Sequence, residues 1–159
     1  MIVVADTSSL NYLLLMERIE LLQSLYGEVI LPHAVREEMS ASGASAVVRS
    51  WAAHLPGWVN VMSVVHIDQT LPERLGAGER EAISLALELS ADVVLMDDQP
   101  GRNAAEDRGL FVSGTLSVLL QASRLSLVDF EAALVELKRL GFRMSEAVES
   151  TMRRLSKNG

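Results

Sequence analysis

The chain has 159 residues, of which 49% are hydrophobic and none is cysteine, and its formal net charge is −7 at pH 7. This length and hydrophobic content fit one domain with a sizeable core, and the lack of cysteine excludes disulfides and thiolate metal sites. The acidic excess argues against a general nucleic-acid coat protein, since attraction to phosphate needs basic residues. Without a long apolar run or a basic leader, we expect a cytoplasmic protein with no membrane partner.

Predicted strands and helices alternate along the chain. In chain order the apolar patterns predict a strand at 2–6, helices at 8–16 and 17–26, a strand at 28–32, helices at 32–40 and 45–55, a strand at 58–64, a helix at 78–90, a strand at 92–98, a helix at 101–109, a strand at 110–114, and helices at 115–123, 127–141 and 145–156. Such alternation is typical of an α/β fold with a parallel sheet covered on both faces. Ligands bind these sheets beyond the carboxyl ends of the strands, where the strand order reverses.

Three carboxylates follow strands that read as buried on both sides. Asp6 ends the first strand, and Asp97 and Asp98 end the fourth. Each has an ordinary interpretation as a helix cap, although Thr7 or Ser8 is able to cap the first helix in place of Asp6. Because parallel strands end at one edge of the sheet, the three acids lie close together if the fourth strand pairs with the first.

Two glutamates lie on apolar faces of predicted helices. Glu38 shares its face with Ala34, four residues earlier, whereas Glu37 is turned away by about 100°. Glu79 precedes Ile83 by four residues and stands at the start of an apolar face. The helix dipole alone is enough to explain a glutamate in a first turn, such as Glu79. Two glutamates on apolar helix faces together with two strand-end acids are hard to explain by capping.

Gathering these carboxylates at one edge is electrostatically costly. Two carboxylates about 5 Å apart repel by roughly 3 kcal/mol at an effective dielectric constant of about 20, so without a cation some take up protons or move apart. A hard divalent cation removes this cost because it prefers oxygen ligands. The lack of cysteine and the scatter of the three histidines argue against zinc, so we predict an all-oxygen site for Mg²⁺ or Mn²⁺.

Five short motifs occur in order within residues 2–125. They are DTSSL at 6–10, PHAVREE at 32–38, LGAGEREAISLA at 75–86, DDQPGR at 97–102 and GTL at 114–116. In this series the chain resembles a PIN-domain nuclease, and most closely the compact prokaryotic branch of that family. The family usually has Thr-x-Asp at the end of the fourth strand, and here Met96 takes the threonine position if Asp98 is the ligand.

The resemblance implies a fold and an activity. It implies a three-layer α/β/α sandwich with a central parallel sheet, in one domain over 1–159, with a core at about 1–125 and a helical extension at about 126–159. It also implies a metal-dependent ribonuclease that hydrolyses RNA phosphodiesters by in-line attack of an activated water. In many prokaryotic members this activity is that of a toxin in a toxin–antitoxin pair, so an RNA substrate and an antitoxin protein are the implied partners.

Carried over by position, the resemblance implies the site residues. Asp6, Glu38, Glu79 and Asp98 are the acids that bind Mg²⁺ or Mn²⁺, with Asp97 as the second choice for the fourth position. Either Glu38 or Glu79 accepts the proton of the attacking water.

Three neighbouring residues have both a functional and a plain interpretation. Thr7 and Ser8 either hydrogen-bond the acids or a phosphate, or they simply cap the first helix. Arg102, one helical turn after the aspartate pair, either steadies a phosphate or an acid, or is an exposed helix arginine.

Two further expectations concern assembly and activity. The segment at 11–26 has more leucine than one core stripe needs, which favours a homodimer. The alternative to a nuclease is a PIN-like interaction or regulatory module with weak or no catalysis, which the Met96 departure and the low basicity favour.

Overall fold

The computed structural model describes residues 1–158, in which nine helices surround a five-stranded sheet. The strands are β1 (Val3–Ala5), β2 (Val29–Pro32), β3 (Val59–Met62), β4 (Val93–Leu95) and β5 (Val112–Ser113). The helices are α1 (Thr7–Leu15), α2 (Leu21–Tyr26), α3 (His33–Ser40), α4 (Ala46–Ala53), α5 (Ala77–Leu89), α6 (Gln99–Asp107), α7 (Thr115–Arg124), α8 (Phe130–Arg139) and α9 (Glu146–Lys157).

The sheet is parallel throughout and runs in the order β3-β2-β1-β4-β5. Ala5 of β1 pairs with Leu95 of β4, so the chains that leave these two strands start side by side. The order reverses between β1 and β4, which makes their carboxyl ends the switch point of the sheet. The predicted α/β fold with a parallel sheet is confirmed. The fourth strand pairs with the first, which meets the condition for bringing the three strand-end acids close together.

Two apolar cores lie on opposite faces of the sheet. Val3 and Ala5 belong to the larger core, whereas Val4 between them belongs to the smaller one, as expected for alternating side chains of a strand. Helices α1 and α7 supply the larger core, and α5 supplies much of the smaller one. The molecule therefore has three layers, and the carboxyl end of β1 lies in the middle layer, which is the sheet.

Several predicted helix starts differ from the structure, and two of the differences have a clear backbone cause. The second helix begins at Leu21 rather than at residue 17, because Glu17 has a φ of 59° in the left-handed region and turns the chain after α1. Pro32 was predicted as the first residue of α3, but it is the last residue of β2 and the extended residue before the helix, with a ψ of 148°.

The segment after residue 125 is part of the same structure. Phe130, Leu134 and Leu137 of α8 are buried in the larger core, and Met152 and Leu155 of α9 pack against it. Among the helices of residues 1–158, none is both long and apolar enough to cross a membrane. The position of α8 and α9 matters for function because the loop between them reaches the carboxyl edge of the sheet.

Candidate metal centre

Asp6 is the most buried acid at the switch point. Only 3% of its surface is exposed. It occupies the capping position of α1, yet its side chain makes no capping hydrogen bond. Among the side chains of residues 1–158, only the Ser8 hydroxyl hydrogen-bonds this carboxylate, and it donates to Oδ2 at 3.4 Å. The capping interpretation therefore does not account for this buried carboxylate.

Burial and neighbouring charge make ionisation of this acid costly. Burial raises the pKa of Asp6 from 3.8 to about 7, a hydrogen bond with the Thr7 backbone opposes the rise, and the carboxylates of Glu79, Glu38 and Asp98 add to it. Burial also raises the pKa of Glu79, followed by the charges of Asp98 and Glu38. Asp6 therefore lies within electrostatic range of the other three acids, and Glu79 lies within range of Glu38 and Asp98.

Glu38 is held at the start of α5. The Thr7 hydroxyl donates to its Oε2 at 2.7 Å, and the backbone N–H of Gly78 donates to its Oε1 at 2.9 Å. A carboxylate is favoured there because the first N–H groups of a helix point toward it. Glycine lets the carboxylate lie this close, since a Cβ atom at position 78 would lie 2.7–2.9 Å from it and the Glu38 side chain would have to shift.

Glu79 lies in the first turn of the same helix and reaches across to α6. A Cβ atom at Gly101 would lie 2.7 Å from Glu79 Oε2 and 2.5 Å from Met96 Sδ. Met96 is fully buried and belongs to the smaller core. At this position, where the family usually has threonine, the chain therefore places an apolar side chain that packs between β4 and α6.

The two aspartates after β4 have different surroundings. Asp97 accepts hydrogen bonds from the Thr115 N–H at 2.9 Å, the Thr115 hydroxyl at 2.6 Å and the Ser9 hydroxyl at 3.1 Å, so it ties α1 to α7. Asp98 is exposed and makes no capping hydrogen bond, although it precedes α6. Its charge acts on both Asp6 and Glu79. Asp97 is thus held between α1 and α7, whereas Asp98 is exposed and its charge acts on the other acids.

The predicted supporting residues also lie at this edge. Ser8 bridges β1 and β4, since its hydroxyl donates to Asp6 and accepts from the Asp97 N–H at 3.1 Å. Arg102 donates from a guanidinium nitrogen to the Met96 carbonyl at 3.0 Å. Thr7 and Ser8 therefore contact site acids, and Arg102 is fixed beside them.

The acid cluster carries uncompensated negative charge. Within residues 1–158, no ion pair involves Asp6, Glu38, Glu79, Asp97 or Asp98. In the same part of the chain, no three His, Cys, Asp or Glu side chains are arranged to hold a metal ion together. The donor set, all carboxylate oxygen around one buried acid, suits a hard divalent cation, but the oxygens do not converge on one point.

The comparison with known families agrees with this geometry. The model of a family described as DUF3368, a PIN domain, matches residues 2–158. The chain belongs to the PIN-domain family. PIN domains are a nuclease-type fold and typically use divalent metal ions, so the predicted family is confirmed, while the narrower prokaryotic branch stays a prediction.

A solved structure shows the same fold. A PilT N-terminus domain protein from the hyperthermophilic archaeon Sulfolobus solfataricus P2 aligns with a TM-score of 0.57 and 20% identity, over 77% of this chain and 93% of that one. At this identity the likeness concerns the fold of the PIN domain and not its substrate. No curated protein matches the sequence.

Several contacts of this PIN domain were not predicted from its sequence. Ser9 and Thr115 are buried polar residues that hold Asp97, and their only sequence signals were the DTSSL motif at 6–10 and the GTL motif at 114–116. Phe142 and Arg143, in the loop between α8 and α9, line a cavity together with Asp97 and Asp98. No sequence pattern connects residues so far apart in the chain.

Thr115→Val tests the hydrogen bonds that hold Asp97. Thr115 is fully buried, so valine leaves the charged carboxylate with one donor fewer. We expect the free energy of unfolding to fall by about 1–3 kcal/mol, measured by urea denaturation. Thr115→Ser keeps the hydroxyl and serves as the control. Equal stability of the valine and serine variants would contradict a role for this hydrogen bond.

Proposed function

We propose that this PIN domain is a Mg²⁺- or Mn²⁺-dependent endoribonuclease, in which Asp6, Glu38, Glu79 and Asp98 bind the ion. The observation that carries the proposal is the Asp6 carboxylate, which is 3% exposed and lies near three other carboxylates with no basic partner in residues 1–158. Buried charges are normally paired or bind a metal ion. The position at the switch point of the sheet supports a ligand site independently.

The side chains have distinct roles in the proposed reaction. A bound divalent ion would supply Lewis-acid activation of water and neutralise charge on the phosphodiester. Glu38 is held in place by Thr7 and Gly78, whereas the Glu79 carboxylate accepts no side-chain or backbone hydrogen bond within residues 1–158. We therefore assign Glu79 as the group that accepts the proton of the attacking water. Arg102 is positioned to contact a phosphate oxygen beside the aspartates.

Ion binding requires some rearrangement of these side chains. As placed, no three of the acids in residues 1–158 hold a common point, so at least one side chain must turn when an ion binds. Glu38 is held by its hydrogen bonds with Thr7 and Gly78, so the side chain that turns is Glu79 or Asp98. This rearrangement reduces the affinity of the site. The same observation favours a second candidate function, a PIN-domain interaction module with weak or no catalysis.

Two single variants, Asp98→Asn and Asp97→Asn, are compared to test the metal site. We expect Asp98→Asn to weaken Mn²⁺ binding, measured by calorimetry, by at least about tenfold. Tenfold is the lower end of the loss in affinity caused even by mutating groups that only orient a metal ligand. The variant should also reduce cleavage of a mixed RNA pool. Its thermal stability should stay unchanged because Asp98 is exposed. Asp97→Asn should instead lower stability because it accepts three hydrogen bonds.

Asp107→Asn is the matched control, since it removes an equal charge from the other end of α6. Helix geometry places it about 14 Å from Asp98. A wild type that binds no Mn²⁺ near neutral pH would overturn the proposed site. Binding of Mn²⁺ without any RNA cleavage by the wild type would favour the interaction module.

We extend the proposal to the partners of this PIN domain. The RNA substrate follows from the proposed activity, whereas the toxin role and the antitoxin partner rest on the sequence resemblance. A gene for a small DNA-binding protein directly upstream would support that role. For the proposed homodimer, most of the surplus leucine of α1 lies in the chain's own core, since Leu10, Leu13 and Leu14 are buried and Leu15 is 42% exposed.

A further inference from the structure

The loop at 140–145, between α8 and α9, lies against the aspartates that follow β4. Two cavities meet there, of about 360 and 430 Å³, and both are lined by Asp97, Gln99, Phe142 and Arg143. Asp98 lines the smaller cavity and Arg102 the larger one. Volumes of this order are in the range of small-ligand sites, so the acid edge continues into a groove bounded by the C-terminal segment.

An aromatic pair forms part of the smaller cavity. Tyr12 of α1 and Phe142 lie edge to face, with ring centroids 5.1 Å apart and an interplanar angle of 73°. Gly141 has a φ of 89°, which lets the chain turn sharply after α8 and present Phe142 beside α1. Phe142 is only partly buried. A ring held in this way by a neighbour is a suitable surface for stacking a base.

The basic residues of the groove are few. Among residues 1–158, Arg102 and Arg143 are the only arginines or lysines that line either cavity. Arg102 already donates to a backbone carbonyl, whereas Arg143 is exposed and forms no ion pair in the same part of the chain. In a chain of net charge −7, with a cluster of acids beside the groove, a polyanion that approaches this edge needs such a cation.

We propose that Phe142 and Arg143 form a subsite for one nucleotide of single-stranded RNA, next to the phosphate that is cut. The base stacks on the Phe142 ring beside Tyr12, and the Arg143 guanidinium contacts the adjoining phosphate. Double-stranded RNA does not fit this arrangement, because its bases are stacked inside the duplex and cannot reach Phe142. This inference rests on the proposed ribonuclease function, and it assigns the C-terminal segment a role in substrate binding.

Binding of RNA tests the subsite separately from catalysis. The probe is a fluorescent, mixed-sequence single-stranded RNA of 12 nucleotides. Its Kd is measured by fluorescence anisotropy in buffer with Ca²⁺, at several salt concentrations. We expect Arg143→Gln to raise Kd about five- to tenfold and to reduce the slope of log Kd against log salt by about 0.7, the value for one phosphate contact on a single strand. Phe142→Leu keeps an apolar side chain and should raise Kd at least about fivefold through lost stacking.

Arg124→Gln is the matched control because Arg124 is at the end of α7 opposite to Thr115, which binds Asp97. Its Kd should stay within about twofold of the wild type, since helix geometry places it about 14 Å from that contact. In Mn²⁺, the two subsite variants should raise KM for RNA cleavage while kcat and calorimetric Mn²⁺ affinity stay unchanged. Thermal unfolding checks that each variant is folded.

Each outcome of these measurements decides one of the two proposals. Kd values of Arg143→Gln and Phe142→Leu equal to that of Arg124→Gln would overturn the subsite, and the ribonuclease would stand if the wild type still cleaves. A Kd for the matching RNA duplex equal to that for the single strand would also overturn the subsite. A wild type that binds the single strand through these residues but never cleaves would support the subsite and contradict the ribonuclease.

Discussion

Asp6→Asn is expected to make the protein more stable at pH 8 in the absence of metal ions. With Mn²⁺ present, the same substitution is expected to abolish the proposed ribonuclease activity. The pKa of Asp6 is raised from 3.8 to about 7 by burial, against a backbone hydrogen bond from Thr7 and with help from three nearby carboxylates. Between about pH 4 and 7 the folded state therefore binds more protons at this site than the unfolded state. The free energy of unfolding of the wild type falls as pH rises through that window.

The size of this effect follows from the same pKa. A rise from 3.8 to about 7 corresponds to at most about 4 kcal/mol at pH 8, at 1.36 kcal/mol for each unit. Asparagine is close in shape to aspartate and carries no charge, so it removes the penalty. Its buried amide still needs hydrogen-bond partners, which reduces the gain. We expect a net stabilisation of about 1–3 kcal/mol at pH 8 and little difference at pH 4, where the wild-type side chain is protonated.

Urea denaturation in the presence of chelator, from pH 4 to pH 8, measures this difference. Added Mn²⁺ should raise the Tm of the wild type and leave that of Asp6→Asn unchanged, because the variant lacks the central ligand. Asp107→Asn serves as the control for loss of one acidic charge. If Asp6→Asn were less stable than the wild type at pH 8 in chelator, the carboxylate would be a structural group and the proposed metal site would lose its main support.

Much of the fold was predictable from the sequence because the strand pattern is strong. The segments at 2–6 and 92–98 read as strands buried on both sides, and the structure pairs β1 with β4 between the two cores. Helix starts were harder to predict. The left-handed Glu17 depends on how α1 and α2 meet in the core, and no local residue preference signals it.

The candidate residues were chosen from the sequence, whereas their contacts and exposure were not predictable from it. Helical periodicity predicted inward faces for Glu38 and Glu79, but the structure leaves Glu38 exposed, where it accepts hydrogen bonds from Thr7 and Gly78. Strand direction predicted Asp6 close to Asp97 and Asp98. Which oxygen accepts which donor depends on side-chain geometry across several elements.

Glu81 illustrates the limit of periodicity in α5. It lies about 200° around the helix from Glu79, yet it accepts a hydrogen bond from the Ala34 N–H at the start of α3. Leu85 is likewise buried, although it shares that second face. Helix α5 is therefore packed on more than one side, which a single amphipathic stripe does not predict.

Gly78→Ala is expected to impair metal binding while the protein stays folded. An added Cβ would lie 2.7–2.9 Å from the Glu38 carboxylate, which is too close, so the side chain must swing away from Thr7 and from the Gly78 N–H. The Glu38 side chain is exposed, so it has room to swing outward, and alanine is a better helix former than glycine. Stability should therefore change by less than about 1 kcal/mol, whereas Mn²⁺ affinity and cleavage should fall about 10–100-fold, as for loss of groups that orient a ligand.

Gly76→Ala provides a control two residues earlier. A Cβ atom at Gly76 meets nothing within 4 Å, and its φ of −71° suits any residue, so Mn²⁺ affinity should stay at the wild-type value. A double-mutant cycle then shows whether Gly78 acts through Glu38. If it does, Glu38→Gln costs much less in the Gly78→Ala background than in the wild type, because the displaced carboxylate has already lost its role. Additive losses would mean that the glycine supports the site by another route, and that the position of Glu38 beside α5 is not what metal binding requires.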